Sequence, residues 1–185
     1  LLQRAASSSE PQLDGDVGAA LTRHRQLRLQ RPPGPEAELE KTRLEAIARV
    51  EALLVREPNK PELTPKLMLA LADLYLERSE AALVAAYEAY EKDPIGTEPR
   101  LDAEPALRLC QDLGKRFPRA QEADSALYLE GYLLSRDYSS DAQKRGRDAF
   151  QRLVKSYPNS RYVAEAWLRL GESYFDENEL KQAVA

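Results

Sequence analysis

Four carboxylates, one thiol and one imidazole are the groups through which this 185-residue chain could do chemistry. Glu172, Asp176, Glu177 and Glu179 crowd near the end of a helical stretch, and carboxylates at that density can hold a hard cation. A solvated acidic face is the simpler reading. Cys110 occupies an apolar position of a helical pattern, which suits a small buried hydrophobe better than a nucleophile. As the single cysteine it also excludes an internal disulfide and a thiolate metal cluster. His24, the single histidine, precedes the regular part of the chain, so a His-based triad or His-rich metal site within the fold is excluded. No glycine-rich phosphate loop is present. The chain reads as non-enzymatic, with no cofactor and no metal.

The elements that would position any site are helices. The hydrophobic fraction is 43% and the charged fraction 31%, with Leu, Ala, Glu and Arg dominant, a composition that favours helix. A net charge of −4 and a pI near 5.3 leave no broad basic footprint for nucleic acid. No apolar run approaches the length of a transmembrane segment, and LLQRAASSSE lacks the parts of a signal peptide. Residues 1–35 read as a flexible leader or linker: SSSEPQLDGDVG is turn-rich and PPGP at 32–35 favours an extended spacer. Between them Val17–Arg31 offers a short basic helix, against the plainer reading of a solvated linker. From Glu36 onward helical periodicity is unbroken and no sheet is expected. The expected elements are a helix ending before Pro58, a helix pair over 63–94 with its turn near Ser79, and a single helix ending at Pro118. A second pair ends at Pro158, and a last helix and the start of its mate complete the chain.

Aligning on the prolines exposes a repeat. Twelve residues before each lie Ala46, Ala82, Ala106 and Gly146; eight before lie Val50, Ala86, Cys110 and Phe150; five before lie Leu53, Ala89, Leu113 and Leu153. These predict successive second helices of helix–turn–helix units, each ended by a proline that cannot continue it. The intervals are 36, 24 and 40 residues, so the 94–118 region is expected to be irregular and the last unit to carry extra residues around Asp137–Asp141. Trp167, Leu170, Gly171, Tyr174 and Ala183 then fall at relative positions 0, 3, 4, 7 and 16. The first four make one helical stripe. Gly171 within a helix implies a close crossing, with Ala183 as the small residue that meets it.

This spacing resembles the tetratricopeptide repeat. The resemblance covers roughly residues 36–185, most closely from 142 onward. It implies an all-α fold, a right-handed α-solenoid of helix–turn–helix units over 36–185, with Trp167 wedged in the core. Further repeats are expected beyond residue 185, because the last helix begins an apolar face with nothing to cover it. In such solenoids first helices line a concave groove. That implies a partner-binding face of Met68, Ala72 and Tyr75, then Tyr128, Tyr132 and Ser135, then Leu168, Glu172 and Phe175. The long link YPNSRYVAEAW, with Phe117–Pro118 before it, resembles the variant of bacterial cell-envelope proteins, such as the β-barrel assembly lipoprotein and the Tol–Pal coordinator. It implies a protein- or peptide-binding scaffold in a multiprotein assembly, periplasmic or outer-membrane-associated. The alternatives are a recruiting or regulatory repeat domain of a larger enzyme and a self-assembling structural segment, and, for location, the cytoplasm.

Overall fold

The computed structural model describes residues 36–176, together with Ala19. The rest of the expected leader, and the Ala183 contact, lie outside the described residues. The fold is all-α, with six helices in sequence and no strand among the described residues. They are α1 (Glu36–Arg56), α2 (Thr64–Lys92), α3 (Glu104–Arg116), α4 (Ala123–Ser135), α5 (Ser140–Ser156) and α6 (Val163–Asp176). The chain divides into two compact units between Thr64 and Pro65.

In the first unit α1 carries two acids, Glu36 and Glu38, in its first turn and Arg56 in its last, the arrangement that suits the helix dipole. Ala46, Ile47, Val50 and Leu53 are its buried apolar edge, at helical spacing. Thr42 is buried too, and its hydroxyl is satisfied locally by the carbonyls of Leu39 at 2.9 Å and Glu38 at 3.1 Å. Beyond Pro58 the turn closes on the Thr64 side chain. Its Oγ1 accepts the Lys60 N–H at 2.8 Å and donates to the Glu57 carbonyl at 2.7 Å.

In the second unit α2 corrects an expectation. The 63–94 stretch is not a helix pair but one helix of 29 residues. The expected turn near Ser79 contains no Gly, Pro or Asn, and EAALVAAYEAYEK is mostly Ala, Glu, Leu and Lys, good helix formers, so no breaker stops propagation. The helix ends at Asp93–Pro94, where the pyrrolidine ring forbids continuation. Burial ends much earlier. Leu67, Met68, Leu71, Ala72 and Leu74 are buried, whereas Ala82, Ala86 and Ala89, which the proline frame places on a second helix, are exposed. After Pro94 the chain runs irregularly to Ala103, with Gly96 at φ 101° in the left-handed region that favours glycine. The irregularity expected over 94–118 is therefore this segment followed by α3 alone.

From α3 onward consecutive helices pack on one another, α3 on α4, α4 on α5 and α5 on α6. The proline frames hold here: Ala106, Cys110 and Leu113 on α3, and Gly146, Phe150 and Leu153 on α5, are all buried. The links that follow are superposable in their hydrogen bonds. Phe117 N–H donates to the Leu113 carbonyl and Tyr157 N–H to that of Leu153, both at 2.8 Å. The two residues share the same backbone shape, φ/ψ −132°/55° and −131°/60°. Ala120 N–H then returns to Phe117 and Ser160 N–H to Tyr157; Ala123 N–H returns to Ala120 and Val163 N–H to Ser160. The link after α1 repeats two of these bonds, Glu57 to Leu53 at 2.8 Å and Leu63 to Lys60 at 3.1 Å. Pro118 and Pro158 thus mark one joint used twice, and Pro58 marks a version that keeps two of its three bonds. Pro94 does not.

The α4–α5 turn lies where the extra residues were expected. Ser139 caps α5 by accepting from Ala142 N–H, and its own N–H donates to Asp137 Oδ1 at 2.8 Å. Those bonds from Ser139 hold the Asp137 carboxyl below its usual range. Gln143 reaches back to the Ser135 carbonyl at 2.9 Å, satisfying one of the acceptors left at the end of α4.

Candidate functional site

The α4–α5 hairpin is built around two glycines. A Cβ placed on Gly131 would stand 2.7 Å from Phe150 Cε1, inside any real contact distance. One placed on Gly146 would stand 3.3 Å from the Gly131 carbonyl oxygen and from Leu134 Cβ. The helices therefore cross at van der Waals contact of their backbones, and Phe150 lies over the space a side chain at 131 would need. Sequence reasoning placed such a crossing at Gly171; that residue is half-buried. The crossing described here is one repeat earlier.

Helix α6 closes on this hairpin through Ala166 and Leu170, which join Phe150 and Leu153 in a buried cluster flanked by Leu127, Tyr128, Val163 and Tyr174. Tyr157 donates its hydroxyl to the Pro118 carbonyl at 2.7 Å, tying one link to the previous one.

Among the residues expected on a concave face, Leu168 and Phe175 are exposed, at 54% and 66%, one α6 face apart by two turns. Glu172 lies between them, exposed, and pairs with Arg169 at 3.2 Å. Arg169 also binds Glu165 at 3.0 Å, so it bridges two turns of the helix. Tyr132 is half-buried, with the Arg136 guanidinium 5.7 Å from its ring centroid. The Ser135 hydroxyl donates to the Tyr132 carbonyl. Tyr128 plays another part. Its ring stacks on Tyr162 at 4.6 Å and 13° and leans on Phe150 at 5.9 Å. Burial raises its hydroxyl pKa, and the Glu165 carboxylate adds to the rise. It is a packing residue of the α4–α6 joint. Tyr75 is half-buried. Met68, at 2% exposure, and Ala72, at 0%, are covered, and an Arg116 Nη lies 3.9 Å from the Met68 sulfur. Their positions on α2 fall on its buried edge, so neither offers a side chain to a partner here.

Trp167 is a correction. Expected in the core, it is 56% exposed. The buried edge of α6 is Ala166–Leu170, and residue 167 lies about 100° further round the helix; the segment expected to cover it lies outside the described residues. Trp167→Ala is accordingly expected to cost about 1–2 kcal/mol, below the roughly 3–5 of a fully buried aromatic. Urea melts of the two forms check this.

Two features were not anticipated. Glu130, on α4, is buried to 8% exposure and its carboxylate accepts from Arg152 Nη2 at 3.0 Å. An acidic residue among the apolar positions of LYLEGYLL was its sequence signal. The second is a cleft of about 650 Å³ between α2, the 98–103 segment, the start of α3 and the end of α4. Only the short Pro94–Pro118 interval hinted at it.

Cys110 is buried, and desolvation pushes its thiol pKa far up. It should resist alkylation at about pH 8 in the folded chain and react at the free-thiol rate only in denaturant. Rapid labelling of the native protein would contradict this placement. His24, Glu177 and Glu179 lie outside the described residues; among those described, no group of three or more His, Cys, Asp or Glu is arranged to hold a metal. Among them too, no helix is long and apolar enough to cross a membrane.

Paired antiparallel helices crossing at small residues, joined by a recurring proline-marked link, define a helical repeat. The tetratricopeptide repeat matches the chain over residues 125–160, which span α4, α5 and the link to Ser160. The chain thus contains a tetratricopeptide repeat, a module that implies protein partners. No curated protein and no solved structure matches it.

Proposed function

We propose that the chain is a non-enzymatic scaffold that holds protein partners within a multiprotein assembly of the bacterial cell envelope. The observation that carries the reading is the exposed α6 face of Leu168 and Phe175, set beside the rigid α4–α5 repeat. Large apolar side chains held on a fixed helix are the anchors from which protein interfaces draw most of their energy. The envelope part rests on the long aromatic–proline link, and two copies of that link, at Phe117–Pro118 and Tyr157–Pro158, share one geometry.

The test replaces Tyr132 with Ala and Leu168 and Phe175 with Ser. Partners co-purifying with the parent chain should bind at least about 2 kcal/mol more weakly, with little change in melting temperature because these side chains are partly or largely exposed. Unchanged affinity would move the site elsewhere. Immunoblotting of cytoplasmic, periplasmic and outer-membrane fractions tests the location, and a purely cytoplasmic signal would overturn it.

A further inference from the structure

The cleft over the 98–103 segment has an apolar floor and a charged surround. Leu83 of α2, Leu101, Leu107 of α3 and Leu134 of α4 line it, and Tyr87 and Tyr138 stand at its sides. Tyr138 is 96% exposed. The Tyr87 hydroxyl donates to Glu98 Oε1 at 2.9 Å, which pins the irregular segment to α2. On α2 beside the cleft Val84 is 59% exposed, and Ile95 beyond the helix is 80% exposed. Among the described residues, exposed apolar side chains therefore continue past the cleft along the second half of α2.

Charge decides what fits there. Between Glu80 and Glu104 the sequence carries seven carboxylates against two cations, Lys92 and Arg100, a net −5. The whole chain carries −4, so everything else sums to +1. In the lining of the cleft itself Glu98, Asp102, Glu104 and Asp137 stand with Arg100 and Arg136, a net −2. Some is neutralised locally: Glu80 pairs with Arg136 at 2.9 Å and Glu104 with Arg108 at 2.6 Å. Asp102 lines the cleft as well, and its carboxylate accepts the Glu104 N–H, a bond that leaves its charge in place.

We propose that this cleft docks a basic amphipathic helix of a partner protein, its apolar side chains entering between Tyr87 and Tyr138 and its lysines or arginines meeting the acidic surround. A volume of 650 Å³ accommodates several side chains, as one turn-repeated helix face presents. Complementary charge fixes the partner's sign and speeds encounter, and the apolar floor supplies retention. This surface is separate from the α6 face of the proposed scaffold role.

The test uses a capped helical peptide of about fourteen Leu and Lys residues, long enough for four turns, and its counterpart with Glu in place of Lys. Fluorescence anisotropy against the full chain should show saturable binding of the Lys peptide below about 100 μM and none of the Glu peptide. The pair Glu98→Lys/Asp102→Lys should weaken binding about tenfold or more, and Tyr138→Ala, at a site exposed enough to leave folding intact, about fivefold. Asp112→Lys/Asp148→Lys, an equal charge change on α3 and α5, should have a far smaller effect. Equal losses from both charge pairs would show that only overall charge is sensed, and would overturn the proposal. Losses confined to Tyr132→Ala and Glu172→Lys would place the peptide on the other face. That overturns the cleft while leaving the scaffold reading intact. Absence of binding at low salt overturns it as well.

Discussion

Gly131→Leu is expected to remove about 3 kcal/mol or more of stability, enough to unfold the α4–α5 hairpin well below the melting temperature of the parent chain. Even a methyl group meets resistance there. Its carbon would lie 2.7–2.9 Å from three atoms of the Phe150 ring, and that ring is itself 2% exposed with nowhere to retreat. Glycine-to-alanine in a helix ordinarily gains about 1 kcal/mol. Overpacking a close-packed core costs about 1–3. The overlap wins, so Gly131→Ala should lose about 1 kcal/mol net. Gly114, in α3, provides the opposite case, since nothing stands within 4 Å of the carbon that would be added. Gly114→Ala should therefore raise stability by up to about 1 kcal/mol. Two substitutions identical in chemistry should shift the melting temperature in opposite directions. A Gly131→Ala chain that melts at or above the parent would mean the helices do not cross at this point.

The largest single loss is expected from Phe150→Ala, about 3–5 kcal/mol. The ring joins three helices: it belongs to α5, covers Gly131 and touches Tyr128 of α4, and shares a buried cluster with Ala166 and Leu170 of α6. Truncation forfeits the transfer energy of the ring and leaves a cavity that three rigid helices cannot collapse into. A urea titration reads the loss directly. The same ring explains a coupling. In a Phe150→Leu background the added methyl of Gly131→Ala meets a smaller neighbour, so its penalty should shrink by about 0.5–1 kcal/mol. Strict additivity in that cycle would separate the two sites and contradict the contact.

Helix positions were legible from periodicity because each buried edge recurs every three or four residues, as Ala106, Cys110 and Leu113 illustrate. The links were legible from prolines, which leave a backbone consequence wherever they stand. Pro94 misled because a proline ends a helix without saying how long that helix has been. Deciding between one helix and a hairpin needed the absence of a breaker near Ser79, a weaker signal than its presence. Of the residues expected on a binding face, Leu168, Glu172 and Phe175 are exposed, but Met68 is not. Helical register tells which residues share a side; it does not tell what packs against that side. The same limit hid the cleft, whose walls come from residues as distant as Leu83 and Tyr138. Trp167 shows it once more: a residue's place in a pattern fixes its direction, while its burial depends on the neighbour that pattern presumes.

The joint that recurs after Leu53, Leu113 and Leu153 closes almost wholly on itself, each bond spanning three or four residues. Such a joint imposes no requirement on how much chain lies between one copy and the next. Here those stretches are 60 and 40 residues long, and the longer one holds an extended helix, an irregular segment and a cleft between a joint that keeps two of the three bonds and one that keeps all three. Gene duplication or loss of whole intervals would therefore splice like to like, and an insertion between joints would be felt only by its immediate neighbours. A chain of this construction can change length and acquire new surfaces over evolutionary time while its already folded portions stay in register, which makes the intervals, not the joints, the place where new specificity arises.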